Sequence, residues 1–237
     1  MIRLQDEKPF ARGGNRLCYV HPQLPGQVVK VRRPQWTLED LRRKKGFPRN
    51  LRPLSSFDES LQEFRLMQQL DARIGERLYE VVSRNYGFVD TDMGQGLCSE
   101  LIRNADGKIS RSVMQYVWEN GITPTLEDAL ARFEQAWIPL PIPTRDILLH
   151  NVVAQCDAHG DIVRLVVIDG LGSSGLIPYA WRPRALKMRR ARQKLERFKG
   201  LMRELAEVRK TGVMPSTFWQ LRHDGLPPAN DSGSGGA

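Results

Sequence analysis

Asp146-Ile147-Leu148-Leu149-His150-Asn151, with Ile168-Asp169-Gly170 downstream, constrains this chain more than any other stretch. Val152-Val153 follows Asn151, and Ile162-Val163 to Val166-Val167-Ile168 runs straight into Asp169. A polar turn, Asp157-Ala158-His159-Gly160-Asp161, separates these β-branched runs. Two such runs around a short polar turn read as a β-hairpin. Its ends would carry Asn151 and Asp169, with Asp146 in the loop leading in. Oxygen ligands so placed suit Mg²⁺ held against phosphate, and a nearby carboxylate suits an acceptor hydroxyl. The pattern therefore predicts phosphoryl transfer, with Asp146 as the catalytic carboxylate and Asn151 and Asp169 as metal ligands.

The other parts such chemistry needs occur upstream in order. Val28-Val29-Lys30-Val31 is a short β-branched run with one lysine. Strand side chains alternate, so Val28 and Lys30 share a face. Val28 would roof a nucleotide base, while Lys30 reached the phosphates and joined Asp146 in the catalytic set. The turn at Gly13-Gly14 would let backbone N–H groups approach phosphate. Leu61, Phe64, Met67 and Leu70 recur every three positions and predict a helix over residues 60–73, with Ser56 and Glu59 as its capping box. Glu63 lies beside that stripe and is expected to pair with Lys30; Glu59 is the second choice. Leu101-Ile102-Arg103 falls where backbone groups would meet an adenine. Leu101 and Ile102 thus complete a cofactor-binding set of Gly13, Gly14, Val28, Lys30 and Glu63. Each element alone has an ordinary explanation as a turn, a cap or a solvated charge. Their joint order carries the reading.

Several of these stretches resemble a known family. They are Gly13-Gly14-Asn15-Arg16-Leu17-Cys18-Tyr19 with His21-Pro22, Val29-Lys30-Val31, Tyr86-Gly87, and Leu101-Ile102-Arg103 with Asp106-Gly107-Lys108. Thr144-Arg145-Asp146 with Asn151, and Val167-Ile168-Asp169-Gly170-Leu171-Gly172 with Ile177-Pro178, continue the set. Together they resemble the YrbL family, the PhoP regulatory network proteins of bacteria, over about residues 10–200. The resemblance implies a protein-kinase-like fold and nucleotide binding, with ATP and Mg²⁺ as the expected cofactors. It supplies no substrate. The expected fold class is α+β: a two-lobed protein-kinase-like fold with a β-rich N-lobe and a reduced, mostly helical C-lobe.

The chain departs from a full protein kinase. Gly170-Leu171 follows Asp169 in place of Phe-Gly, Thr144 stands where many kinases have His, and no Ala-Pro-Glu follows. Gly175-Leu176-Ile177-Pro178 arrives within ten residues of Asp169, too soon for a long activation loop. A small-molecule or saccharide acceptor is therefore expected over a protein. The alternative is a non-catalytic pseudokinase with a regulatory or binding role.

The net charge of +9 is concentrated. Residues 182–210 hold 12 Lys/Arg and 3 Glu, which leaves 24 basic and 24 acidic residues elsewhere. Leu195, Phe198, Leu205 and Val208 recur at helical spacing in this segment. It is expected to dock by that stripe and turn its arginines, Arg189, Arg190 and Arg192 among them, toward an anionic small molecule or saccharide acceptor. Nucleic acid is disfavoured because no recognition helix or aromatic-rich motif accompanies the charge. No apolar run approaches the roughly 20 residues that span a bilayer. The charged N-terminus and the scattered Cys18, Cys98 and Cys156 suggest a cytoplasmic protein with reduced thiols. The four histidines show no ligand spacing, and His150 is expected to pack.

The expected organisation is a β-rich nucleotide-binding lobe at 1–103, a helical lobe with the catalytic and metal loops at 104–225, and a disordered tail at 226–237. Strands are predicted over residues 86–91 and 97–102, joined by a turn at Asp92-Met93-Gly94-Gln95-Gly96. Helices are predicted over residues 110–119 and 124–137, the second opened by Pro124 with Thr125 and Asp128 as its box. The basic run Arg42-Arg43-Lys44-Lys45 is read as part of an insertion loop.

Overall fold

A computed structural model describes residues 1–172 and 179–213. The expected tail and the Gly175–Pro178 stretch lie outside the described residues. The chain is mixed α+β, with a β-sheet-rich N-terminal region and a helical C-terminal part. Strands β1 (Ala11–Arg12), β2 (Arg16–Val20), β3 (Gln27–Arg32), β4 (Asn85–Thr91) and β5 (Gly94–Glu100) form an antiparallel sheet ordered β1-β2-β3-β5-β4. Helices α1 (Leu38–Lys45) and α2 (Glu59–Ile74) interrupt it between β3 and β4. A second antiparallel sheet joins β6 (Arg111–Ser112), β7 (Val152–Cys156) and β8 (Ile162–Val167). Helices α3 (Val113–Asn120) and α4 (Pro124–Trp137) lie between β6 and β7, and α5 (Arg184–Lys210) closes the described chain.

Strand β3 is covered on both faces. Val29 and Val31 pack with Leu4, Leu17, Tyr19 and Cys98, while Val28 packs with Phe10, Ala11, Leu101 and Ile109. This explains its nearly unbroken valine run, because a strand buried on both sides loses the polar alternation. Gly96 lies opposite Val31. A Cβ there would sit 2.5 Å from Val29 Cγ1 and 3.1 Å from Val31 Cγ1, so only glycine fits without moving the core.

The larger core gathers α3, α4, α5 and the β7–β8 hairpin. In α4, Leu126, Ala129, Leu130, Phe133 and Trp137 form one buried face. In α5 the buried residues are Ala191, Leu195, Phe198, Met202 and Leu205, spaced alternately by four and three. Each fully buried Leu or Phe side chain contributes about 1.5–3 kcal/mol. Val208 does not complete the predicted stripe; it is 38% exposed. The helix end there is instead held by Arg209, which donates to the Trp118 and Glu119 carbonyls of α3 at 2.7 and 3.0 Å.

Local corrections follow from capping chemistry. Asp58, not Ser56, caps α2 by accepting from the Leu61 N–H. Thr123, not Thr125, caps α4, and the Thr125 hydroxyl accepts from the Ile162 N–H at 2.8 Å. The helix expected over 110–119 begins at Val113, capped by Ser112 with Gln115 in a reciprocal box. The basic run is helical, because Thr37 and Asp40 form a capping box that starts α1. The β4–β5 turn is only Asp92-Met93, with Gly94–Gly96 already paired into β5.

The segment that leads into β4 is joined by backbone to β8. The Ser83 N–H donates to the Val167 carbonyl at 3.1 Å and the Val167 N–H to the Val81 carbonyl at 2.8 Å. Arg164 on β8 adds bonds to the Tyr79 carbonyl at 3.0 Å and the Glu100 carboxylate at 2.8 Å.

Candidate functional site

Lys30 is buried at 6% exposure, a rare state for an ammonium unless it is partnered. Its Nζ donates to Glu63 Oε1 at 2.9 Å and to the Ile168 carbonyl at 3.0 Å. Glu63 reaches it from α2, as its place beside the apolar stripe predicts. The neighbouring cation is Arg16. In the β2–β3 register Cys18 lies opposite Lys30, so Arg16, two residues earlier, projects from the same face. Arg16 Nη1 donates to Glu63 Oε2 at 2.6 Å and Nη2 to Asp169 Oδ2 at 2.9 Å. The four side chains form an alternating chain of charge, Lys30–Glu63–Arg16–Asp169. Burial alone would raise the carboxyls, but Arg16 and Lys30 hold Glu63 below its ordinary range. The same two cations and the Gly170 N–H bring Asp169 down to about 2 against the pull of burial. Burial opposes the charge on Arg16 too, yet Glu63 and Asp169 raise its pKa well above the ordinary value.

The hairpin forms as expected. Val152 pairs with Val167, and the Ile168 N–H donates to the Asn151 carbonyl at 2.9 Å, so Asn151 and Asp169 emerge at adjacent ends. Gly170 draws in the third residue. At φ +86° it takes a left-handed turn, and a Cβ built on it would lie 2.9 Å from the Asp146 carbonyl and 3.0 Å from Asn151 Nδ2. The Arg145 N–H donates to the Gly170 carbonyl at 3.0 Å. Asp146, Asn151 and Asp169 therefore meet across one glycine. The Asp146 carboxylate is itself paired with Arg197 Nη1 at 3.0 Å. Lys194 donates to the carbonyls of Thr144 and Arg145 and fixes the loop before Asp146. His150 is half-buried, and burial lowers its pKa.

Val28, Lys30, Leu101 and Ile102 line one apolar slot with Phe10, Ala11, Cys18, Ile109, Val153 and Ile168. Two backbone groups of the expected base-contacting segment are engaged within the protein. The Leu101 N–H donates to the Gly26 carbonyl, and the Ile102 carbonyl accepts from the Ser110 N–H, both at 2.9 Å. Gly13 and Gly14 occupy the β1–β2 turn, where the Gly13 N–H donates to the Arg16 carbonyl at 2.9 Å. A Cβ on Gly14 would meet nothing within 4 Å. That turn does not require glycine for space.

Arg16 was not among the sequence candidates, and Lys194 and Arg197 were covered only by the expectation for the whole basic segment 182–210. Arg16 is found only once β2 is aligned with β3. On α5, Arg190, Lys194 and Arg197 each stand one position before a buried residue, and with Lys187 they line a pocket with Asp146. Arg189 and Arg192 are exposed and line none of the pockets described. Among the described residues no group of three or more His, Cys, Asp or Glu gathers to hold a metal ion. One carboxylate and one amide, Asp169 and Asn151, fit Mg²⁺ only where phosphate and water complete the shell.

The depressed carboxyls make an acid-side prediction. An unfolded Asp titrates near 3.9. With its folded pKa at about 2, Asp169 stabilises the fold fully above the unfolded value, and that contribution is lost as pH falls toward 2. Glu63 acts in the same direction. The thermal midpoint should therefore fall steadily from about pH 5 to about pH 3. Asp169→Asn should show the shallower decline, and since half of the Asp169 side chain is exposed the difference is modest. Parallel declines in the two proteins would show that Asp169 carries no such linkage.

A family model described as PhoP regulatory network protein YrbL matches residues 2–205. YrbL of Escherichia coli (strain K12) is 25% identical over 186 residues, covering 76% of this chain and 78% of that protein. YrbL of Shigella flexneri matches with the same identity and coverage. A match of that extent, over both sheets and most of α5, places the chain in the YrbL family of PhoP regulatory network proteins.

Proposed function

We propose that this chain has a two-lobed, kinase-like fold and is an ATP-dependent phosphotransferase acting on a non-protein hydroxyl in the cytoplasm. The observation that carries the proposal is the buried Lys30–Glu63 pair set against the hairpin that brings Asn151 and Asp169 together. In this reading the apolar slot at Val28, Leu101 and Ile102 takes the base, and Lys30 binds phosphate. Asp169 and Asn151 would hold Mg²⁺, which supplies positive charge against the phosphates. Asp146 accepts the proton of the acceptor hydroxyl. The short stretch after Asp169 favours a small or saccharide acceptor. A second reading, a nucleotide-binding protein without turnover, draws support from the arginines on two key carboxylates: Arg16 on Asp169 and Arg197 on Asp146.

Calorimetric titration with ATP, with and without Mg²⁺, tests nucleotide binding. Lys30→Ala should weaken ATP binding by about tenfold or more, the loss expected for a charged hydrogen bond. Asp169→Asn should remove the added affinity that Mg²⁺ brings. Wild-type affinity in both variants rules this site out. Asp146→Asn should abolish transfer while keeping ATP affinity; a wild-type protein that binds MgATP but transfers to no acceptor favours the second reading.

A further inference from the structure

The pocket beside Asp146 has an unusual charge balance. It encloses about 470 Å³ between the Thr144–Asp146 loop, Tyr179 and the N-terminal half of α5. Six cations line it: Arg145, Arg182, Lys187, Arg190, Lys194 and Arg197. Asp146 is the one carboxylate among the described lining residues. The α5 members recur at intervals of three and four, so they stand on one helical face. That face adjoins the buried stripe, so the rigid core fixes its position. Arg182 and Lys187 lie over the Tyr179 ring at 5.7 and 5.1 Å, which orients both.

Like charges gathered in a concave site repel one another, and the repulsion grows as water is excluded. Lys194 registers this: burial, then Arg190, Arg182 and Arg197, press its pKa down, with only Asp146 opposing. An anion in the pocket would relieve that repulsion. Arg forks also match phosphate and carboxylate oxygens in pairs. A solvated basic surface would spread its charge outward, as Arg189 and Arg192 do. Here the charge converges on a cavity shared with the one carboxylate placed for proton transfer.

We infer that this pocket binds the acceptor, and that the acceptor is a small hydroxyl compound bearing its own phosphate or carboxylate, held by Arg190 and Arg197 beside the positive charge of Lys194. The inference rests on the phosphotransferase reading above and adds the acceptor's chemical class. Arg197 has a second part. It holds the Asp146 carboxylate at 3.0 Å, and an arriving anion competes for that guanidinium and frees the carboxylate. In the transfer step the acceptor hydroxyl oxygen bonds to the γ-phosphorus of the nucleoside triphosphate. The bond from that phosphorus to the β,γ-bridging oxygen breaks. The hydroxyl proton passes to Asp146, and the bridging electron pair departs with the nucleoside diphosphate.

The test uses the full chain and three probes of one size: glucose, glucose 6-phosphate and glucuronate. Each is titrated without nucleotide into wild type, an Arg190→Ala/Arg197→Ala variant and an Arg189→Ala/Arg192→Ala control. The two variants remove equal charge from neighbouring positions on one helix, and a melting curve verifies that both fold. Wild type should bind at least one anionic sugar about tenfold or more tightly than glucose, and the pocket variant should lose that margin. The control should stay within about twofold of wild type, because its arginines face solvent. Which anionic sugar binds more tightly tells phosphate from carboxylate. Equal binding of all three sugars, or equal losses in both variants, overturns the inference. ATP affinity, measured separately, keeps the two readings apart. A chain that holds acceptor anions but not ATP refutes the phosphotransferase, and one that holds ATP but no anionic sugar refutes the pocket.

Discussion

Glu63→Ala is expected to lower the unfolding free energy by about 3 kcal/mol, the low end for removing one partner of a buried ion pair. Glu63 sits between two buried cations, with Lys30 at 2.9 Å and Arg16 at 2.6 Å. Without it, Arg16 keeps Asp169, but the Lys30 ammonium keeps only the Ile168 carbonyl. A buried ammonium with one neutral partner is the state that proteins avoid. Urea unfolding at neutral pH measures the loss. The difference from wild type should begin to shrink as pH falls below about 5, because the unfolded chain protonates Glu63 in the ordinary carboxylate range while both cations hold the folded pKa lower despite burial. A variant within about 0.5 kcal/mol of wild type, the range of ordinary surface changes, would show that the pair is not the buried linkage described.

Gly170→Ala should be nearly as damaging, through geometry and not through charge. At φ +86° a side chain adds backbone strain of about 1–2 kcal/mol. The new methyl would also press on the Asp146 carbonyl at 2.9 Å and on Asn151 Nδ2 at 3.0 Å. The loops carrying Asp146, Asn151 and Asp169 must then part. Stability should fall by about 2 kcal/mol or more, and any Mg²⁺-dependent gain in ATP affinity should vanish. Gly14→Ala is the contrast: its methyl meets nothing within 4 Å, so stability should hold within about 0.5 kcal/mol. Equal behaviour of the two alanine variants in urea and in MgATP titration would remove Gly170 from its place as the meeting point.

The hairpin was legible because its information is local. Two β-branched runs, a polar turn between them and Asp-Gly at the end specify strand, turn and strand within 20 residues. Lys30 and Glu63 were legible for a related reason: a single charge inside a valine run has one natural direction, and of the acids Glu59 and Glu63 the second lies closer along the apolar stripe of α2. Arg16 was not, because its partners lie 47 and 153 residues away and emerge only when β2 is placed against β3. The arginines of α5 show the same limit more finely. Periodicity located the helix, yet a shift of one residue decides whether Arg189 or Arg190 faces Asp146. Neighbouring residues with equal propensity also compete to cap a helix. Asp58 caps α2 in place of Ser56, and Thr123 caps α4 in place of Thr125, a shift of two residues that local propensity does not resolve.

The bonds that tie β8 to the N-terminal region grade from main chain to side chain, and that gradient should act as a fulcrum and a latch. At Val167 the attachment is main chain to main chain, and Arg164 braces it from behind. One residue later the link is the Lys30 ammonium, and at Asp169 it is a single guanidinium. Rotation costs least where flexible side chains span the gap and most where peptide groups do. The sheets should thus swing about the Val81–Ser83 edge, with the mouth opening at Arg16. A ligand entering there has one long side chain to push aside, and the pivot need not move.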